Sequence, residues 1–222
     1  MATATRLLDL ATWTGEPPMV FHDVSWAEYT DLLEQWPERR LRMNYDRGTL
    51  EIMATTLGHE GHGHNLGRLF EALTMELGVE IRGGGQLTCR REALRCGLEP
   101  DLCYWVAQEP RMRGRLDYDP EVDPPADLAI EVEVSRTVIA RLPIYASLGF
   151  PEVWRYDGEN LIVLLLQADG SYQPSPTSNC LPAAPIDALP RWAARAGVVG
   201  ENALVREFAA WVRGGMPPDR VP

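Results

Sequence analysis

Carboxylates are the residues whose type and spacing could do chemistry in this chain. The run from Asp127 to Val134, DLAIEVEV, has the β-branched and aliphatic content of a strand. Alternate residues of a strand share a face, so Leu128, Ile130, Val132 and Val134 fall on one side. Ala129, Glu131, Glu133 and Ser135 fall on the other. Two carboxylates then stand about 7 Å apart along one face. Like charges this close are unfavourable unless something offsets them, and burial in an α/β sheet adds a desolvation cost. A hard divalent cation resolves both problems, because it prefers carboxylate oxygen. The run from Leu98 to Trp105, LEPDLCYW, repeats the arrangement, with Glu99, Asp101 and Cys103 on one face and Leu98, Leu102 and Tyr104 on the other. Pro100 marks a strand start or an edge. Carboxylates from two strands converging on one ion form the pattern of metal-dependent phosphodiester hydrolysis. The cluster read this way is Asp101, Glu131 and Glu133.

Other reactive residue types carry less. His59, His62 and His64 lie in HEGHGH, which is not the HExxH pattern of zinc hydrolases, and its glycines weaken a helix start. Glu60, Gly63, His64 and Gly67 share one side of that helix, and the glycines leave room beside Glu60 for a strand or a ligand. Cys89, Cys96, Cys103 and Cys180 form no CxxC pair and read as buried thiols. Trp105 and Trp154 sit in strand-like segments, Trp192 and Trp211 at helical spacing, and all four read as core. All 21 basic residues are arginine. No lysine is present to act as base, Schiff base or electrostatic clamp.

The elements that must position these groups follow from periodicity. Ser25-x-x-Glu28 is a capping box, and Tyr29, Leu32 and Leu33 give Trp26–Gln35 a helical stripe that Pro37 ends. Leu41 to Met53 alternates about Asp46-Arg47-Gly48, the signature of a hairpin. Leu66, Leu69, Phe70, Leu73 and Leu77 define a helix over 57–77, closed by Gly78. Strands are predicted at about 79–88, 98–106 and 127–134, with a polar, proline-rich loop between the last two. A helix follows at 138–148, then a hairpin of strands 152–157 and 160–167, a linker-like loop at 174–185, and helices at 186–196 and 201–213.

Several of these stretches resemble the Uma2 family, also called DUF820, within the PD-(D/E)xK nuclease superfamily. They are YDRGTLEIM at 45–53, His59-Glu60 opening the long helix, EPDLCYW at 99–105, DLAIEVEVS at 127–135 and RLPIYASLGFPEVWRYDG at 141–158. Each short motif is weak alone; their ordered combination over residues 41–166 is specific. The resemblance implies an α/β, restriction-endonuclease-like fold, a mixed β-sheet flanked by helices. It implies that Asp101 and Glu131 bind Mg²⁺ or Mn²⁺, with Glu60 contributing from the helix, and it gives Glu51 a recurrent family position. The third residue of the ExK triplet is Glu133 here, where the superfamily has lysine. Arg141 stands where some members carry the basic group instead. A guanidinium stays protonated, so Arg141 suits a contact to phosphate, and water activation falls to the metal or to Glu133.

The domain organisation expected is an arm at 1–20, the nuclease-like domain at 21–175 and a helical extension at 176–222. The net charge of −11 opposes high-affinity, nonspecific binding of nucleic acid but leaves room for a local patch that meets DNA. No apolar run approaches the roughly 20 residues of a membrane span, and the N-terminus lacks a secretory signal. The chain is therefore expected to be cytoplasmic, and, if it cuts both strands of DNA, to act as a homodimer. The hairpin at 152–167 is the candidate edge for that pairing. Three functions remain open: a divalent-metal-dependent endonuclease; a catalytically inactive nuclease-fold binding or scaffold protein, which the missing lysine and the acidic charge favour; and a metal hydrolase acting on a small phosphorylated molecule, which suits the acidic charge but has no motif of its own.

Overall fold

The structure is a computed structural model that describes residues 18–36, 41–54, 56–85, 87–133 and 139–216. The arm at 1–17, Pro37, Val134 and Ser135 lie outside the described residues. The expected α/β class is borne out, with the strands divided between two sheets. The first sheet contains β1 (Met19–Phe21), β2 (Leu41–Asp46), β3 (Thr49–Ala54), β5 (Cys89–Arg91) and β6 (Cys96–Leu98), in the order β1-β3-β2-β6-β5. All its pairings are antiparallel. The second contains β4 (Arg82–Gly83), β7 (Leu102–Trp105), β8 (Leu128–Val132), β9 (Glu152–Tyr156), β10 (Leu161–Leu166) and β11 (Tyr172–Ser175), in the order β11-β10-β9-β8-β7-β4. Only β8 and β9 run parallel. A parallel pair needs a crossover, and helix α4 (Arg141–Leu148) lies between them in the chain.

Local signals account for the other helices. The capping box of α1 (Trp26–Gln35) forms as expected: Glu28 N–H donates to Ser25 Oγ, and Glu28 Oε2 accepts from Ser25 N–H at 2.8 Å. Helix α2 (Leu57–Leu77) starts at Thr56, whose hydroxyl accepts from His59 N–H, and ends at Gly78 in a left-handed conformation. Short helices α3 (Glu109–Met112) and α5 (Leu189–Ala193) and the longer α6 (Glu201–Arg213) complete the set. The β2–β3 turn requires positive φ at both central residues, and Arg47 and Gly48 have φ of 44° and 100°.

The core is layered. Helix α2 lays Leu66, Leu69, Phe70 and Leu73 against Leu128, Ile130, Val132 and Trp154 of the second sheet, and α5 and α6 join the same cluster through Trp192, Phe208 and Trp211. The opposite face of that sheet, with Ala129 and Val153, packs against α4 and the β5–β6 hairpin. Helix α1 covers one face of the first sheet through Tyr29, Leu32 and Leu33 against Met43, Tyr45, Leu50 and Ile52. The other face of β2 and β3 presents Arg42, Asn44, Glu51 and Met53, and all four are buried. A polar face that is buried rather than solvated is the structural fact that makes the site.

The structure corrects four readings. The strand expected at 79–88 shrinks to Arg82–Gly83. The strand expected at 98–106 is two strands in different sheets. Pro100 interrupts it, and the face alternation stops there, so Glu99 turns to Met43 N–H and the Thr88 hydroxyl. The linker-like loop at 174–185 begins inside β11. Because β11 pairs with β10, the hairpin at 152–167 is not a free edge. That edge is held by Glu152. Its carboxylate, 1% exposed, accepts from Trp154 Nε1 and from the backbone N–H groups of Asn179 and Cys180.

Gly97 is where the first sheet touches α1 most closely. A Cβ there would lie 2.5 Å from the hydroxyl of fully buried Tyr29. Gly97→Ala is therefore expected to destabilise the chain by about 2 kcal/mol, an overpacking cost. The check is a lower urea midpoint with an unchanged slope.

Candidate metal centre and its arginine partners

Asp101 follows Pro100 at the mouth of β7, and Glu131 lies one residue from the end of β8. The antiparallel register pairs Leu102 with Ile130, so Asp101 and Glu131 occupy the next rung. Asp101 Oδ2 accepts from Val132 N–H at 2.6 Å, which pins its carboxylate to the end of β8. Both residues are buried, Asp101 at 3% exposure and Glu131 at 1%. Two isolated carboxylates at this depth would be prohibitive, and guanidinium groups balance them.

Arg42 on β2 forms an ion pair with Asp101 and reaches Glu60 on α2 at 3.2 Å. Arg141, at the first turn of α4, forms an ion pair with Glu131, whose second oxygen accepts from the Tyr145 hydroxyl. Burial works against the charge of Arg141, but Glu131, Tyr145 and Glu51 outweigh it and raise its pKa. Burial, reinforced by Glu131, pushes the Tyr145 phenol well up, so it stays a donor. Glu51 accepts from the Asn44 side chain at 3.0 Å and from Ile139 N–H, tying β3 to the approach of α4. Glu133 is half-buried and pairs with Arg155 of β9.

His59 packs into the same region. Its Nε2 lies 2.9 Å from the Val132 carbonyl and 3.5 Å from Asp101 Oδ2. Burial, with Arg42 nearby, lowers its pKa against the opposing pull of the Val132 carbonyl and Glu60. The lowered pKa favours the neutral ring, in which an Nε2–H donates to the Val132 carbonyl. His62 instead packs edge-on against Tyr156, and the His64 ring faces Glu201 at 3.6 Å. Gly67 is the glycine that the close approach requires, because a Cβ there would sit 2.9 Å from Leu102.

The expected residues fall around two cavities that share no lining residue. Asp101 and Glu60, with Arg42, His59 and His64, line one of about 140 Å³. Glu131, Glu133 and Arg141, with Tyr145 and Arg155, line another of about 450 Å³. Among the described residues no three of His, Cys, Asp or Glu are gathered to hold a metal ion. The donor chemistry nevertheless suits a hard divalent cation, since two carboxylates occupy one rung of adjacent strands. The fit is to two carboxylates that would exchange guanidinium contacts for the ion. Arg42, Asn44 and Arg155 were not identified from the sequence. Arg42 and Asn44 alternate with core residues Met43 and Tyr45, and that pattern alone does not distinguish a buried polar face from a solvated one.

No protein of curated function matches the chain. A crystal structure of a putative nuclease belonging to DUF820, from Anabaena variabilis, aligns with a TM-score of 0.50 at 12% identity. The alignment covers 84% of this chain and 99% of that one, a likeness of fold. The family model of Uma2, described as a putative restriction endonuclease, matches residues 26–196. That span runs from α1 through both carboxylate strands and the α4 crossover to α5, and so takes in every group lining the two cavities: the chain belongs to the Uma2 family.

Proposed function

We propose that this protein is a divalent-metal-dependent endonuclease that hydrolyses phosphodiester bonds in DNA. The observation that carries this reading is the pair of buried carboxylates, Asp101 just before β7 and Glu131 near the end of the adjacent β8. Membership of a family described as a putative restriction endonuclease supports the reaction class. Asp101 and Glu131 would hold Mg²⁺ or Mn²⁺, with Glu60 assisting from the cavity rim. The bound cation would supply Lewis acidity, lowering the pKa of a water and offsetting charge on the phosphate. The chain's own residues do the rest. Val132 N–H and His59 orient Asp101, and Tyr145 and Arg141 orient Glu131. Glu133 is the carboxylate assigned to take a proton from the attacking water, since the chain has no lysine. A twofold dimer, placing one such site on each DNA strand, belongs to the same proposal. No helix among the described residues is long and apolar enough to cross a membrane.

A second reading has its own support. Asp101, Glu131, Glu133 and Glu60 each face a guanidinium, Arg42 serving both Asp101 and Glu60, so three of the four negative charges are balanced without a metal ion. A nuclease-fold binding or scaffold protein needs no more than that.

Cleavage of supercoiled plasmid separates the two. The nuclease reading expects nicking with Mg²⁺ or Mn²⁺ and a loss of about 100-fold or more in Asp101→Ala, the scale of a lost metal ligand. No cleavage under any metal or salt condition, with no Mn²⁺ uptake by calorimetry, leaves the scaffold reading. Stability answers a different question. Glu131→Ala strands the buried charge of Arg141, and the metal-free chain is expected to lose about 3–5 kcal/mol in urea unfolding. The pH dependence follows from His59. Its folded pKa lies below the ordinary 6.5, so the unfolded chain binds the proton more tightly. The stability contributed by neutral His59 is present above 6.5 and is lost as pH falls through the folded value. His59→Asn should flatten the acid-side fall of the urea midpoint.

A further inference from the structure

The larger cavity has a feature that the expected site residues do not explain. In the parallel pair, Glu131 on β8 and Arg155 on β9 are register partners. The neighbours Trp154 and Tyr156 belong to the α2 side of the sheet, and Val153 to the α4 side, so Arg155 emerges beside Glu131. A cation therefore reaches the pocket from the next strand, where the triplet Glu131-Val132-Glu133 has none of its own.

Arg141, the expected phosphate contact, is poorly placed for it. Its side chain is 6% exposed, one nitrogen is paired with Glu131, and another lies against Met53 Sδ at 3.0 Å. Arg155 is 37% exposed and pairs with Glu133. Both arginines line the cavity, and the Nε of each is buried without a hydrogen-bond partner. Helix α4 opens onto the same space at Ala140, whose own side chain offers no cap to the first turn. A part-exposed guanidinium and a helix N-terminus are both complementary to an oxyanion.

We propose that this cavity is a phosphate subsite in which Arg155 makes the contact and Glu133 is the internal carboxylate that a phosphate displaces. The choice of a nucleic-acid phosphate rests on the nuclease reading; the oxyanion chemistry rests on Arg155 and the helix start. Glu133 then acts in the resting chain as a counterion that keeps Arg155 extended into the pocket.

The test is binding in EDTA, so that cleavage plays no part. Inorganic phosphate is titrated by ³¹P NMR and a mixed-sequence duplex by fluorescence anisotropy. Wild type is expected to bind both. Arg155→Gln should weaken both about tenfold, the scale of one charge-assisted contact, and lower the salt slope of duplex binding by about 1. Glu133→Gln should tighten both, because it removes the competitor and leaves Arg155 in place. This opposite sign distinguishes the subsite from simple misfolding. The proposal is overturned if wild type binds no inorganic phosphate, or if Arg155→Gln binds both probes as wild type does. Arg155-dependent phosphate binding with no cleavage by wild type under any metal would keep the subsite and remove the nuclease reading. Cleavage with phosphate binding indifferent to Arg155 would do the reverse.

Discussion

Pairing of buried carboxylates with guanidinium groups is the constraint around which this molecule is organised. Asp101 and Glu131 sit where neither charge would survive alone, and Arg42 and Arg141 reach them from different elements. Arg42 comes from the first sheet, Arg141 from the crossover helix. Each ion pair therefore fastens a separate layer to the ends of β7 and β8. Arginine suits this task because its planar fork is weakly hydrated and makes several directed contacts when buried. A chain whose basic residues are all arginine meets that demand throughout.

The two sheets divide the work. Helix α1 takes the apolar face of the first sheet and leaves its polar face pointing inward. The second sheet is covered by α2 on one side and by α4 with the β5–β6 hairpin on the other. Polar groups enter where the layers meet, and they pair in part: Asn44 Nδ2 with Glu51, Glu51 with Ile139 N–H, His59 Nε2 with the Val132 carbonyl. Among the described residues Asn44 Oδ1 and His59 Nδ1 have no hydrogen-bond partner.

Glu133 links the structural and chemical questions. Where the superfamily pattern has lysine, this chain has a carboxylate, and the neighbouring strand answers with Arg155. The positive charge comes from the strand position paired with Glu131. A nuclease site and a guanidinium-paired scaffold share this arrangement; they differ in whether a cation and a phosphate displace the guanidinium contacts.

The sequence by itself determined the local elements and the identity of the acidic residues. The capping box at Ser25, the stripe of α2, the turn at Arg47-Gly48 and the alternation through Glu131 are short-range patterns, set by backbone hydrogen bonding and periodicity within a few residues. What faces what across the layers was decided only by the tertiary structure. Pro100 looked like the start of one strand and proved to be the point where the chain leaves one sheet for the other. The alternation of β2 left open whether Arg42 and Asn44 face solvent, and the tertiary structure buries both. The strand pairing that sets Arg155 beside Glu131 joins residues 24 positions apart in the chain, and no periodicity within either strand encodes it. Charge compensation is a property of three-dimensional neighbours, so the carboxylates could be read from the sequence while their partners could not.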